Sequence, residues 1–308
     1  MPRITTETSK SRDNRPHKPE RARRGKQPSS IAVTAPEPEP EALVTVSRTM
    51  DVIEMLGDKV EGLSLSAVAR ALGVNRSIAF RILHTLRTKG YLYQDLDTES
   101  FKLTFRISNI ALRQQTATKL TDLCYPLLRA LAEETGELVR LAVIENDKPV
   151  WVHSAVGSAR LLRLDPTWTT DVILHVHAVG KAYLSTLHDE EIIAQVGQGP
   201  FERHTPRSMG DLKSLLKDVA ESRNRGFAMN CEESEVGVGA IAAPVCMQLR
   251  EVRRCVGVVS IAAPVSRISC ADLAKRGPRL MEVCGHLAKG WPLALPSDAL
   301  AVNSARYR

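Results

Sequence analysis

The chain has 308 residues, 43% of them apolar, a length and composition that suit two folded domains better than one. No run of about 18 apolar residues occurs and the charged first residues lack a secretory apolar stretch, so neither a membrane span nor export is expected and the cytoplasm is the expected location. The net charge of +7 favours polyanionic partners, and most of it lies in residues 1–30, where nine Lys or Arg face three acids.

Residues 1–42 are polar and Pro-rich and end in a Pro-Glu repeat from Pro36 to Glu41. They read as a disordered basic tail and linker, either merely solvated or resting on DNA phosphates. Order begins near Leu43. Val46, Met50, Ile53 and Leu56 recur at helical spacing, and Gly57 can end that helix. A second helix is predicted from about Ser66 to Leu72, capped by Ser64 or Ser66 and broken at Gly73. Asn75 caps a third helix running to about Lys89, with Gly90 as its stop. Tyr91–Tyr93 and Phe101–Leu103 flank a polar stretch and predict a short β-hairpin. Residues 106–135 read as helical, with Pro126 marking a break or a start. Strands are predicted at Leu138–Glu145 and Pro149–Ala155, joined by a turn at Asn146-Asp147-Lys148. Further strands are predicted at Ala159–Leu164, Gly226–Asn230, Gly239–Val245 and Cys255–Ala262. Helices fit Ala178–Leu187, Asp211–Arg225 and Cys270–Lys289. An all-α start followed by mixed strands and helices gives an α+β chain.

The segment Leu65–Leu86 carries the strongest motif. Two short helices meeting steeply need a small residue at their contact, a turn that tolerates positive φ, and apolar residues facing inward. Ala69 supplies the contact, Gly73 the turn, and Val68, Leu72, Val74, Ala79, Ile82 and Leu86 the inner set. Ala79, Ile82, Leu83 and Leu86 fix the inner face of the third helix. The opposite face then carries Arg76, Ser77, Ile78, Phe80, Arg81, His84 and Arg87, and a recognition helix presents such a face to the major groove. Arg76 suits a guanine edge or a phosphate, Ser77 and Arg81 suit phosphates, and Ile78 and Phe80 suit a thymine methyl. With the hairpin following directly, the unit reads as a winged helix-turn-helix, and Lys102 is the hairpin's phosphate-contact candidate.

Other constellations point away from catalysis. The six cysteines, Cys124, Cys231, Cys246, Cys255, Cys270 and Cys284, form no Cys-x-x-Cys pair, and are expected to stay reduced and pack as small apolar groups. His175-x-His177 would share a face on a strand, yet no third ligand stands at a useful spacing, so no metal is expected. Glu232-Glu233 reads as a salt-bridge or loop anchor rather than an acid/base pair. Gly180-Lys181 lacks the upstream glycines of a phosphate loop, and no Gly-x-Ser-x-Gly occurs. No cofactor is implied and the chain is not expected to be an enzyme. The competing readings are an architectural DNA binder and an enzyme with an accessory DNA-binding domain.

The chain resembles the IclR family of bacterial regulators over roughly residues 44–290. In the first domain the resemblance rests on Val46-x-Arg48, Leu65-Ser66-Ala67-Val68-Ala69, Arg81-Ile82-Leu83-His84-Thr85-Leu86 and Gly90-Tyr91-Leu92. In the second it rests on His175–Ala182, Arg203-His204-Thr205, Arg225-Gly226-Phe227, Glu232-Glu233, Gly237 and Ala242-Ala243-Pro244-Val245. It implies a winged helix-turn-helix over 43–105, a linker helix over 106–122, a GAF-like effector domain over 123–292 and a C-terminal tail over 293–308. It implies a homodimer or dimer of dimers on double-stranded operator DNA, controlled by an organic or aromatic acid. The implied effector positions are Trp168, His177, Ala178, Val179, Asn230, Ala240 and Ser260. The chain departs from the family pattern at Ile78 and Phe80, at Thr104 where the wing has Gly, at Asn230 where Asp is common, and at Ala240 and Ala262, where methyls replace polar groups. Fewer donors favour an effector with more apolar surface, such as an aromatic acid.

Overall fold

The computed structural model of the chain describes residues 43–157, 162–166, 171–249 and 252–292. The N-terminal unit begins with α1 (Val44–Gly57), α2 (Leu65–Ala71) and α3 (Arg76–Thr88), followed by β1 (Leu92–Gln94) and β2 (Phe101–Leu103). Both predicted caps are present: the Ser64 hydroxyl accepts from the Ala67 N–H at 3.2 Å and the Asn75 side chain from the Ile78 N–H at 2.9 Å. Gly73, at φ +62°, makes the turn between α2 and α3. The core joins Val52 and Leu56 of α1 to Val68, Ala69, Ala79, Ile82, Leu83 and Leu86, closed by Leu92 and Phe101 of the hairpin. Leu63 bridges to Phe101 and lays a third short segment against the hairpin. The inner face of α1 is therefore rotated from the expected one, because Val46 and Met50 stand exposed.

The helical stretch over 106–135 is two helices, α4 (Arg106–Thr118) and α5 (Leu120–Thr135). Lys119 forms the break, in the left-handed region at φ +55°. Pro126 marks neither the expected break nor the expected helix start; it sits exposed within the second turn of α5, where it forfeits one backbone hydrogen bond.

The C-terminal unit is built on β3 (Leu138–Glu145), β4 (Lys148–Val156), β5 (Ala228–Cys231), β6 (Val238–Leu249) and β7 (Val252–Pro264), in the spatial order β4-β3-β7-β6-β5. Every pairing is antiparallel. Asn146 and Asp147, both at positive φ, close the β3–β4 hairpin as the sequence predicts. The helices are α6 (Ala178–Leu184), α7 (Asp189–Val196), α8 (Leu212–Arg225), α9 (Cys270–Ala274) and α10 (Gly277–Gly290). One sheet face packs Val139, Leu141, Val143, Ile241, Ala243 and Ile261 against Leu128 and Leu131 of α5 and Leu280, Val283 and Leu287 of α10. The other packs Ala142, Ala228, Ala242 and Val258 against Ala178, Val179, Ala182 and Tyr183 of α6.

Several expectations need correction. The predicted strand Ala159–Leu164 falls partly outside the described residues, and its part from Leu162 is not a strand. The single helix over Cys270–Lys289 is interrupted, α9 ending before α10 begins with Pro278 in its first turn. Cys231 and Cys270, expected as free thiols, form a disulfide joining the end of β5 to the start of α9.

Gly180 shows how tightly α6 is seated. A Cβ there would collide with the backbone of Leu174, so the helix approaches the preceding segment at a distance only glycine permits. Gly180→Ala is expected to cost the C-terminal domain about 1–3 kcal/mol through overpacking, read as a lower urea midpoint.

Candidate DNA-binding face and ligand site

The outer surface of α3 keeps Arg76, Ser77, Phe80, Arg81, His84 and Arg87 exposed. The Phe80 and His84 rings stack one turn apart, with centroids 5.8 Å from each other, and form an apolar ridge between the two arginines, Arg76 and Arg81. Ile78 is different. It is half-buried and packs on the helix-turn-helix core, so Phe80 is the exposed apolar member of this face. Arg87 reaches the wing through its Nη1, which donates to the Gln94 Oε1 at 3.2 Å. Lys102 is paired with Asp95 at 2.8 Å across the hairpin. That contact holds the Asp95 carboxyl well below the usual range and sets a carboxylate beside the Lys102 ammonium, which offsets its attraction for a phosphate. Thr104, where the wing's glycine was expected, closes its base by donating from its hydroxyl to the Gly90 carbonyl at 2.7 Å.

The second candidate site is the sheet face under the N-terminal end of α6. Register places Ser154, Arg140, Ser260, Ala242 and Ala228 in one row across the five strands. The next row holds Leu138, Ala262, Ala240 and Asn230. Ala178 and Val179 pack directly on this face, and Ser260 is buried within it. His177 is the N-cap residue of α6; its Nδ1 accepts from the Ile173 N–H at 2.9 Å, which leaves the proton of the neutral ring on Nε2. Burial, with the nearby His204, Arg140 and His175 charges, pushes the His177 imidazole down to about 4. His175 turns elsewhere, stacking on Phe201 at 4.7 Å and meeting the Glu202 carbonyl at 3.1 Å. The two histidines lie in a turn before α6 and not on a strand, and they do not converge as a ligating pair. Trp168 lies outside the described residues.

Asn230 faces inward but is committed to its own loop, donating to Ser234 at 2.7 Å and accepting from the Glu233 N–H at 2.9 Å. Glu232 and Glu233 anchor that loop separately. Glu232 pairs with Arg207, while Glu233 pairs with Lys181 at 2.8 Å. Lys181 is fully buried, and Asp218 Oδ2 adds a second carboxylate 3.2 Å from the same nitrogen, an ion pair without hydrogen-bond geometry. Burial raises the Glu233 carboxyl above the usual range against the pull of Lys181. Thr205 and Ser208 fasten the loop from the other side, their hydroxyls donating at 2.6 Å to the Glu232 and Glu233 carbonyls.

The residue missed from sequence is Arg140. It lies in the middle of β3, in the row with Ser260 on the α6 side of the sheet, with its guanidinium stacked 3.5 Å from the centre of the Trp151 ring. Burial pulls it down to about 10, still charged at neutral pH. One charge inside the otherwise apolar run Leu138–Ile144 was the signal available for it.

The family model for the IclR helix-turn-helix domain matches residues 45–96, and that for the C-terminal domain of bacterial transcriptional regulator IclR matches residues 114–285. The HTH-type transcriptional regulator BhcR of Paracoccus denitrificans is 27% identical over 248 residues, spanning 80% of this chain and 86% of its own. An IclR-type regulator from Alicyclobacillus acidocaldarius superposes with a TM-score of 0.72 at 21% identity, covering 82% of this chain and 100% of that one. An IclR homolog from Microbacterium hydrocarbonoxydans, solved in complex with 4-hydroxybenzoate, gives a TM-score of 0.64 at 18% identity over 80% of this chain and 98% of its own.

The depressed His177 pKa has a consequence for stability. Between pH 6.5 and about 4 the unfolded state takes up a proton that the folded state refuses. The folded state therefore keeps its full advantage above pH 6.5 and loses it as pH falls toward 4, by about 3 kcal/mol at most. Urea unfolding followed across that window is expected to show the loss in the wild type and a flatter profile in His177→Gln.

Proposed function

The chain belongs to the IclR family of bacterial transcriptional regulators, and on that premise we propose that a small organic acid, held between α6 and the sheet, controls its binding to operator DNA. Arg140 is the observation that carries this reading. A guanidinium in an apolar strand, beside the aromatic plane of Trp151, suits a bidentate contact to a carboxylate. Ser260 shares its cross-strand row, and neutral His177 adds an N–H donor near it. Ala240 and Ala262 present methyls in the adjacent row, which favours an aromatic acid over a very small polar one. The 4-hydroxybenzoate complex of the Microbacterium hydrocarbonoxydans homolog supports the same class of effector on this fold.

On the DNA side we read Arg76, Ser77, Phe80, Arg81 and His84 as the contacts to the major groove, with Ile78 serving the core and Lys102 contributing weakly from the wing. The active species is read as a homodimer or a dimer of dimers. In support, α4 has no buried residue and exposes Ile110 and Leu112, while α1 exposes Val46 and Met50. A lone helix of that length is marginal in water, and a second copy would cover both apolar surfaces.

Three outcomes are expected. Arg81→Ala weakens operator binding and lowers its salt slope by about one, in titrations at several salt concentrations. Benzoate-type acids raise the melting temperature and change operator affinity, whereas Arg140→Met loses about ten- to a hundredfold in acid affinity with operator binding intact. Binding of glyoxylate or pyruvate with no response to aromatic acids would overturn the aromatic assignment, and no response to any acid would favour a purely architectural role. Ile110→Glu with Leu112→Glu gives a smaller species in sedimentation.

A further inference from the structure

At the opposite, C-terminal end of α6 lies a recess of about 420 Å³. Its walls include Thr186, His188, Arg223, Pro244, Cys246 and Arg253. Cys246 is half-buried, and Cys255 faces it directly across the β6–β7 pair, next to a register shift. Both side chains lie on the α6 side of the sheet. Directly opposed residues of antiparallel strands stand about 4.5–5.5 Å apart at Cα, within the range a disulfide spans. Cys255 is buried, with its thiol donating to the Gly257 carbonyl at 3.2 Å. Arg253 lines the recess beside Cys246 and supplies its nearby positive charge, while Arg223 is fixed in the wall by the Ser185 and Leu187 carbonyls and pairs with Asp189 at 3.6 Å.

We propose that Cys246 is a peroxide-reactive thiol and Cys255 its resolving partner, so that a hydroperoxide closes a disulfide across the β6–β7 hairpin beneath α6. The Cys246 thiolate attacks one peroxide oxygen; the O–O bond breaks, a sulfenic acid forms on Cys246, and hydroxide leaves and is protonated to water. The Cys255 sulfur, giving up its proton, then attacks Cys246; the S–S bond forms, the S–O bond breaks, and a second water leaves. Two thiols and one hydrogen peroxide give one disulfide and two waters, the two sulfurs supplying both electrons. The thiol adjacent to Cys246 and the Arg253 charge outweigh burial and bring the Cys246 thiol down to about 7, while burial pushes Cys124 and Cys284 up to about 12. Only Cys246, among these free thiols, combines thiolate character with access to solvent. This assignment does not rest on the effector reading, because the recess lies at the other end of α6 from His177.

The test uses the full chain with its Cys231–Cys270 bridge. Limited N-ethylmaleimide labelling at pH 7, read by peptide mass spectrometry, is expected to modify Cys246 about tenfold faster than Cys124, Cys255 or Cys284. Stoichiometric hydrogen peroxide, followed by alkylation and digestion, is expected to yield the Cys246–Cys255 cross-linked peptide. Cys255→Ser leaves instead a sulfenic acid on Cys246 that dimedone traps. Arg253→Met keeps both thiols and slows Cys246 labelling several-fold. Equal labelling of all four thiols, or a peroxide product that omits Cys246, overturns the proposal.

Discussion

The seating of α6 depends on one buried charge. An ammonium removed from water destabilises the fold unless carboxylates meet it, and truncating one partner of such a group commonly costs about 3–5 kcal/mol. Lys181 meets Glu233 from the loop after β5 and Asp218 from α8, so three segments distant in sequence are held to one point. Because the Glu233 N–H also donates to the side-chain oxygen of Asn230, the loop cannot shift without disturbing the sheet residue behind it. The clamp from Thr205 and Ser208 closes the same loop from outside. The geometry of the sheet face under α6 follows from where this cluster sets the helix.

The sheet divides its work between its faces. One face is a dry core of Val, Leu and Ile under α5 and α10, which supplies most of the burial and needs no polar partner. The other is lined by alanines, so a helix can approach closely and a few polar groups can be tolerated among small side chains. Glu137 and Arg267 close one end of the β3–β7 pair, in a bidentate contact with both distances at 2.7 Å, joining the start of β3 to the segment after β7.

Much of this was legible in the sequence because local chemistry decides it. Asn75 and Ser64 announce their helices, Gly73 its turn, and the Asn146-Asp147 pair its hairpin, all through short-range effects. Motif resemblance located the Lys181 and Glu233 segments, but not that they meet, since that contact joins residues 52 apart. The helix α7 was overlooked although Asp189, Glu190 and Glu191 favour a helix N-terminus, because its apolar periodicity is short. Ile78 was placed outside by periodicity alone, yet it lies at the boundary of the helical stripe and tertiary packing takes it inward. Arg140 was hidden by its neighbours, whose apolar character dominates the reading of β3. The Cys231–Cys270 bridge joins residues 39 apart, and spacing carries no trace of it.

Lys119 is a single residue in a strained conformation, which L-amino acids adopt at a cost of about 1–2 kcal/mol, set between two helices. The angle between α4 and α5 is therefore set at one residue. The 13 residues of α4 extend about 20 Å at 1.5 Å per residue. A difference of about 10° in that angle corresponds to about 3.4 Å at the far end of α4, where it meets the wing. The position of the wing relative to α5 thus follows from the backbone conformation of residue 119.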